Sequence, residues 1–193
     1  MVRQLRPALL MTFVLTALTG VLYPLGITAI SQLLFPDAAN GSLTRRNGRI
    51  VGSRLIGQSF TTPQYFHPRP SASGYDATAS GGSNLGPTNP DLVKRLQKDA
   101  LAYREATGSD APIPADAITA SASGLDPDIS PANAMLQVSR VARARHVRPE
   151  QIRSVLQNHI ERRQFGIFGE PRVNVLELNL ALDKQLPLRA ALR

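Results

Sequence analysis

The side chains best suited to chemistry are few in this chain and stand far apart. Its histidines are His67, His146 and His159, and no H-x-x-x-H or H-E-x-x-H spacing joins them, so a metal site on one helix face has no ligand pair to start from. Cysteine is absent, which excludes disulfides, thiolate metal sites, iron–sulfur ligation and a cysteine nucleophile. The lysines are Lys94, Lys98 and Lys184, and none precedes Ser or Thr, so the sequence lacks the G-x-x-x-x-G-K-[ST] phosphate loop. Asp126 and Asp128 flank Pro127, and carboxylates so placed are expected to serve turn hydrogen bonds rather than acid–base catalysis. Residues 80–86 (SGGSNLG) have the composition of an amide nest, although such stretches are first of all turns. No nucleophile, base and orienter can be assembled from spacing alone.

The elements that must position these residues begin with an anchor. No charged residue lies between Arg6 and Asp37. The apolar run 8–35 has 28 residues, roughly 42 Å if wholly helical, against a bilayer core of roughly 30 Å. A cleaved signal peptide has a shorter apolar core and a small-residue cleavage site, and residues 30–40 (ISQLLFPDAAN) offer no clean A-x-A. A retained membrane helix is therefore expected over 8–35, with 1–7 cytoplasmic and 36–193 outside. Arg3, Arg6 and the free amine favour that orientation, and Arg45, Arg46 and Arg49 oppose it. Long domains cross largely regardless of charge. Thr12, Thr16, Thr19, Tyr23 and Gly26 share one narrow face at 100° per residue, a stripe suited to packing against another membrane helix. Pro24 is expected to kink the helix.

After Pro36 come 20 of the 22 cations and all 14 anions, a formal +6. That part is long enough for one ordinary core. Asn47-Gly48 between 42–46 and 49–60 signals a type I′ hairpin. Residues 60–90 hold five prolines, four glycines and Phe60, Tyr65, Phe66 and Tyr75; aromatics at that density favour an ordered, folded-back loop over a linker. Tyr65, Phe66, Arg69, Tyr75 and Asp76 are its candidate partner contacts. Helices are expected from Asn89-Pro90 to Gly108, from Ser130-Pro131 to His146, and from Pro149. Their inner faces are expected to carry Leu92, Val93, Leu96, Ala100 and Tyr103, then Met135, Val138, Val141 and Ala142, then Ile152, Val155, Leu156, His159 and Ile160. Residues 117–122 (AITASA) read as a short strand. Residues 173–182 (VNVLELNLAL), with leucine at 176, 178, 180 and 182, also read as a strand. The predicted fold class is α+β: one N-terminal transmembrane helix followed by a single extracytoplasmic α+β domain. Arg140, Arg143, Arg145 and Arg148 do not share one helical stripe, so they are expected on a solvated face or against a protein surface, not on nucleic acid.

Several segments taken together resemble one family, the C subunit of the Kdp-type potassium-transporting P-type ATPase. They are 19–24 (TGVLYP), 51–60 (VGSRLIGQSF), 65–72 (YFHPRPSA), Tyr75-Asp76, 79–90 (ASGGSNLGPTNP), 119–131 (TASASGLDPDISP), 140–145 (RVARAR) and 165–183 around GEPRVNVLELNLALD, in order along nearly the whole chain. The resemblance implies a single-pass protein of the bacterial cytoplasmic membrane. Its implied partners are a channel-like potassium-translocating subunit, a P-type ATP-hydrolysing subunit, a small membrane peptide and the lipid bilayer. It implies no catalytic site on this chain and no metal or cofactor bound by it, with ATP and K+ used by the complex. The family's C subunit is described as a catalytic chaperone that raises the ATP affinity of the hydrolysing subunit. With the domain across the bilayer from cytosolic ATP, that effect is expected to be indirect, and any nucleotide-binding residues here are unknown. The alternatives are a solitary anchored extracytoplasmic domain that binds or hydrolyses a ligand, and an assembly factor dispensable once the complex has formed.

Overall fold

The computed structural model describes residues 2–188; Met1 and residues 189–193, which fall in the expected N-terminal and exported segments, lie outside it. The chain divides into two compact units, Met1–Ile50 and Val51–Arg193.

The first unit is built on one long apolar helix. Helix α1 (Val2–Ala17) runs into a π-helical stretch, Leu18–Leu22, which continues as α2 (Tyr23–Leu34). The stretch Arg3–Leu34 is apolar and long enough to cross a membrane, with mean hydropathy 1.9. The helix starts earlier than the expected 8–35 and carries Pro7 inside α1. The wide turn lies immediately ahead of Pro24. Proline has no N–H and its ring crowds the carbonyl four residues back, and an i→i+5 turn at that place relieves both conflicts. Phe35 leaves the helix at φ −138° and Pro36 opens a single turn, α3 (Pro36–Ala39). A two-stranded hairpin follows, β1 (Leu43–Arg46) and β2 (Arg49–Ser53). Its turn has the positive φ values that a type I′ pair requires, 51° at Asn47 and 77° at Gly48. The second strand stops at Ser53, short of the expected 49–60.

The second unit is a helical core with a small ribbon, α+β as predicted. Helix α4 (Pro90–Thr107) is capped by the Asn89 side chain on the Asp91 N–H and ends in left-handed Gly108. Helix α6 (Pro131–Arg145) is capped by Ser130 and ends at His146, φ 56°. Helix α7 (Pro149–Gln157) follows directly. The last helix, α8, is Val175–Gln185. The ribbon pairs β3 (Asp128–Ile129) with β4 (Val173–Asn174), antiparallel, Asp128 opposite Asn174 and Ile129 opposite Val173. Phe66, Ile129, Val138, Val141, Ile152, Leu156, Val173, Leu178 and Leu182 make the core between α6, α7 and α8. Met135, expected on the inner face of α6, is 38 % exposed, and Ala134 takes the buried place beside it.

Neither of two predicted strands forms over its expected length. Residues 117–122 contain the end of a one-turn helix, α5 (Ala115–Ile118), followed by an irregular segment. The Thr119 hydroxyl bonds back to the Ala115 carbonyl, 2.7 Å, the local bonding that lets threonine close a turn. Within 173–182 only Val173 and Asn174 are strand. The Asn174 side chain then accepts from the Glu177 N–H, 3.1 Å, and starts α8. Leucine and glutamate favour helix once an N-cap is in place. Val175, Leu178, Asn179 and Leu182 are buried at helical spacing, whereas Leu180 is only half-buried.

Candidate functional site

The aromatic loop is ordered, and its anchoring starts with backbone groups. A buried segment without regular structure must find partners for each N–H and C=O. Here the partners are side chains of α6 and α8. Asn179 accepts from the Phe66 N–H, 2.8 Å, and donates to the Phe66 carbonyl, 3.0 Å. Gln137 does the same for His67, accepting at 2.8 Å and donating at 3.1 Å. Arg140 donates to the Pro63 carbonyl, 2.8 Å, and Arg145 Nε to the Gln64 carbonyl, 2.7 Å. Four long side chains thus hold residues 63–67 as a neighbouring strand would.

Arg140 and Arg145 depart from their expected surface position. Arg145 is 4 % exposed. It pairs with Asp183 at 2.9 Å, donates to the Leu186 carbonyl at 2.9 Å, and stands 5.0 Å over the Tyr65 ring. Arg140 is 8 % exposed and donates to Gln137 Oε1 at 2.6 Å. Its pKa is lowered to about 10 by burial. His67 Nε2 lies 3.2 Å from the Arg140 guanidinium and 3.1 Å from the Thr62 carbonyl. Burial, and then Arg140, hold its pKa below the usual histidine value. Next to them Tyr103 donates to Asn133 Oδ1, 2.8 Å. Its phenol is raised well above the usual tyrosine value by burial and then by Asp116. Asp116 itself accepts from the Ser130 N–H, the Ser130 hydroxyl and Asn133 Nδ2.

The expected contact residues fall in different places. Phe66 is fully buried in the core, which corrects its expected role: no partner can reach it in this fold. Tyr65 is half-buried and donates to Asp183, 3.0 Å. Arg69 pairs with Asp126 at 2.7 Å. Tyr75 donates to the Arg69 carbonyl at 2.6 Å and sits at φ 62°, held there by the Ser71 hydroxyl on its N–H. Asp76 is exposed, and its carboxylate, kept low by the Thr78 hydroxyl and then the Thr78 N–H, closes a turn. Thr12, Thr16, Thr19, Tyr23 and Gly26 all face outward from the first unit. The wide turn 18–22, which contains Thr19, separates Thr12 and Thr16 from Tyr23 and Gly26, so the five no longer lie in the single phase of a regular α-helix.

Asp126 and Asp128 serve the fold. Asp126 Oδ1 accepts from the Asp128 N–H, 3.0 Å, the expected turn bond. Asp128 is bridged by Arg172 at 3.2 Å, while burial raises its pKa. In the 80–86 stretch, Gly81 N–H donates to the Ser123 carbonyl, 2.8 Å, so this amide pins two loops together. Close approach also explains Gly57, where a Cβ would meet the Asp126 carbonyl at 2.5 Å. His159, as expected, is half-buried, its Nδ1 on the Val155 carbonyl at 2.8 Å. It follows the end of α7 rather than lying within it. One exposed surface is apolar: Phe165 is 92 % exposed, Ile167 71 % and Phe168 64 %. The phenylalanines and isoleucine clustered around Gly166 were the available signal. The geometry as a whole is that of a braced loop, its polar side chains bonded to one another and to the loop backbone.

Comparison with known proteins agrees in extent. The family model described as "K+-transporting ATPase, c chain" matches residues 5–184. A "Potassium-transporting ATPase KdpC subunit" of Gemmatimonas aurantiaca is 57 % identical over 186 residues, covering 95 % of this chain and 94 % of that one. The protein of that name from Koribacter versatilis is 55 % identical over 191 residues, covering 97 % and 98 %. Another from Beijerinckia indica is 51 % identical over 192 residues, covering 98 % of each. With nearly the whole chain matched, the chain belongs to the KdpC family, the c chains of the K+-transporting ATPases.

Proposed function

We propose that this subunit is a non-catalytic accessory chain of an ATP-driven potassium import complex. In this reading it crosses the bacterial cytoplasmic membrane once, N-terminus inside. It binds the channel-like potassium-translocating subunit through its helix and its outer domain near the external ion entrance. The P-type ATP-hydrolysing subunit and a small membrane peptide complete the assembly. One observation carries it: along Arg3–Leu34 none of the apolar window is buried within the chain. Apolar helix enough to cross a bilayer core of roughly 30 Å needs lipid to cover it, and a partner helix can share that surface. Small and hydroxylated residues such as Thr12, Thr16 and Thr19 allow close helix approach. Asp76 and the half-buried Tyr75 and Arg69 are the loop residues placed to meet a partner outside the membrane. Any effect on ATP affinity is then a coupling free energy transmitted through the partner.

The test is a pull-down of the tagged full-length chain from its native membrane in gentle detergent, with mass spectrometry of the eluate. Co-elution of a polytopic membrane protein and a P-type ATPase is expected. Recovery of the chain alone, under conditions that preserve other membrane complexes, would overturn the reading in favour of a solitary anchored domain. Nucleotide titration of the purified full-length chain is expected to show no tight saturable binding; tight binding would replace indirect coupling with a direct role.

A further inference from the structure

Two adjoining hollows in the second unit meet at Arg140. One, of about 360 Å³, lies between the aromatic loop and α4, with Phe60, Tyr75 and Tyr103 on its walls. The other, of about 380 Å³, opens past Pro63 toward Arg143. Both are lined by Thr61, His67, Ala106 and Arg140, and neither has an aspartate or glutamate in its wall. The third large hollow differs: Asp116, Asp126, Asp128 and Glu170 line it against Arg69 and Arg172.

Arg140 is the exception among the buried charges. Arg145, equally buried, pairs with Asp183. Arg140 is more than nine-tenths buried, yet its bonds go to neutral acceptors only, the Pro63 carbonyl, Gln137 Oε1 and the imidazole of His67. It forms no ion pair among the described residues, and its Nε donates to none of them. A buried cation with no counter-charge is expensive to keep. Arg143 adds a second guanidinium at the mouth, and the hydroxyls of Ser59 and Thr61, unpaired among the described residues, line the same walls.

We propose that this hollow binds a small oxyanion, a phosphate or carboxylate group, with Arg140 as its buried counter-charge, Arg143 at the mouth and the Thr61 hydroxyl as a further donor. The ligand supplies the missing negative charge and locks the loop to α4 and α6. Guanidinium suits both oxyanions because it offers paired donors in one plane.

The experiment is a thermal-shift and calorimetric titration of the full-length chain in uncharged detergent at constant ionic strength. The probes are inorganic phosphate and acetate, with chloride as the balancing salt. Saturable stabilisation by phosphate, acetate or both is expected, and the pattern identifies which oxyanion the hollow prefers. Arg140→Gln should weaken it roughly 10- to 100-fold, the worth of a charge-assisted hydrogen bond. Because Arg140 also braces Pro63, Ala106→Phe is the second variant: it fills the hollow from α4 and removes no hydrogen bond. Loss of binding in Ala106→Phe, with the fold intact by circular dichroism, supports the site. Absence of saturable stabilisation by both anions overturns the proposal, as does binding that Ala106→Phe and Arg143→Gln leave unchanged.

Discussion

At the scale of single residues, the decisive groups are amides and guanidiniums. Asn179 is 1 % exposed and Gln137 2 %, and each closes a two-bond ring with one loop residue. Asn179→Ala leaves the N–H and the carbonyl of Phe66 without partners in a buried place. Each orphaned group costs about 1–3 kcal/mol, so the pair costs about 2–6 kcal/mol, and chemical denaturation of the full-length chain should report a loss in that range, as it should for Gln137→Ala. Gln97→Ala, on the exposed face of α4, should stay within about 0.5 kcal/mol of the parent. His67 supplies a pH effect. Its pKa in the fold lies below the ordinary 6.5, because burial and Arg140 disfavour the imidazolium. As pH falls below 6.5 the unfolded chain takes up a proton that the folded chain does not. Stability from this group is therefore complete above 6.5 and declines as pH drops toward the folded value. Asp128, with a raised pKa, acts in the opposite sense: its stabilising share is complete below 3.8 and is lost as pH rises through the raised value. The comparison that isolates the histidine is thus His67→Gln against parent. The variant's melting temperature should fall less between pH 7.5 and 5.5, endpoints taken about one unit either side of the reference pKa.

At the scale of elements, what the sequence made legible follows from how local each signal is. Asn89-Pro90, Ser130-Pro131 and Pro149 start helices where they were expected because capping acts within one turn. Asn47-Gly48 and His146 adopt the positive φ that their types tolerate. The C-terminal segment misled because leucine at every second position satisfies a strand, while the same residues also fit a helix that buries two sides. Asn174 decides between them: its cap on Glu177 starts the helix at the end of β4. The two periods make different forecasts. In a strand, Leu178 and Leu180 would be equivalent and Asn179 would face away. In α8, Leu178 is 0 % exposed and Leu180 half-buried. Leu178→Ala should therefore cost about 2–5 kcal/mol, and Leu180→Ala distinctly less, in the same denaturation assay. The brace around Phe66 was not legible for the converse reason. Its bonds join residues 113 and 70 positions apart, and an arginine or glutamine read alone belongs by default to the surface.

At the scale of the whole molecule, the question is whether the apolar helix only tethers the folded unit or also recognises a partner. A tether needs length and hydropathy, and any leucine-rich span supplies both. Recognition needs specific side chains, because lipid tails cover leucine as well as another helix does and so give no driving force for helix association. This helix carries Thr12 and Thr16 on its first part and a wide turn at Leu18–Leu22, with Thr19 within it, ahead of Pro24. The hydroxyl of Thr19 bonds to the Leu15 carbonyl, 2.7 Å, and that of Thr28 to the Pro24 carbonyl, 2.8 Å. Within lipid such bonds satisfy the hydroxyls internally, leaving the small profile of the side chain for close approach. Exchange of residues 8–34 for a plain leucine–alanine span of equal length keeps the tether and erases both features. If the helix is part of the interface, the exchanged chain should still insert in the membrane but lose co-purification with its partners. A milder change, Thr12, Thr16 and Thr19 together to leucine, should reduce recovery of partners by roughly 10-fold, the equivalent of about 1.4 kcal/mol of helix packing. Full recovery with the leucine–alanine span would assign all of the binding to the second unit, and the exposed residues Asp76 and Phe165 would then be the places to substitute next.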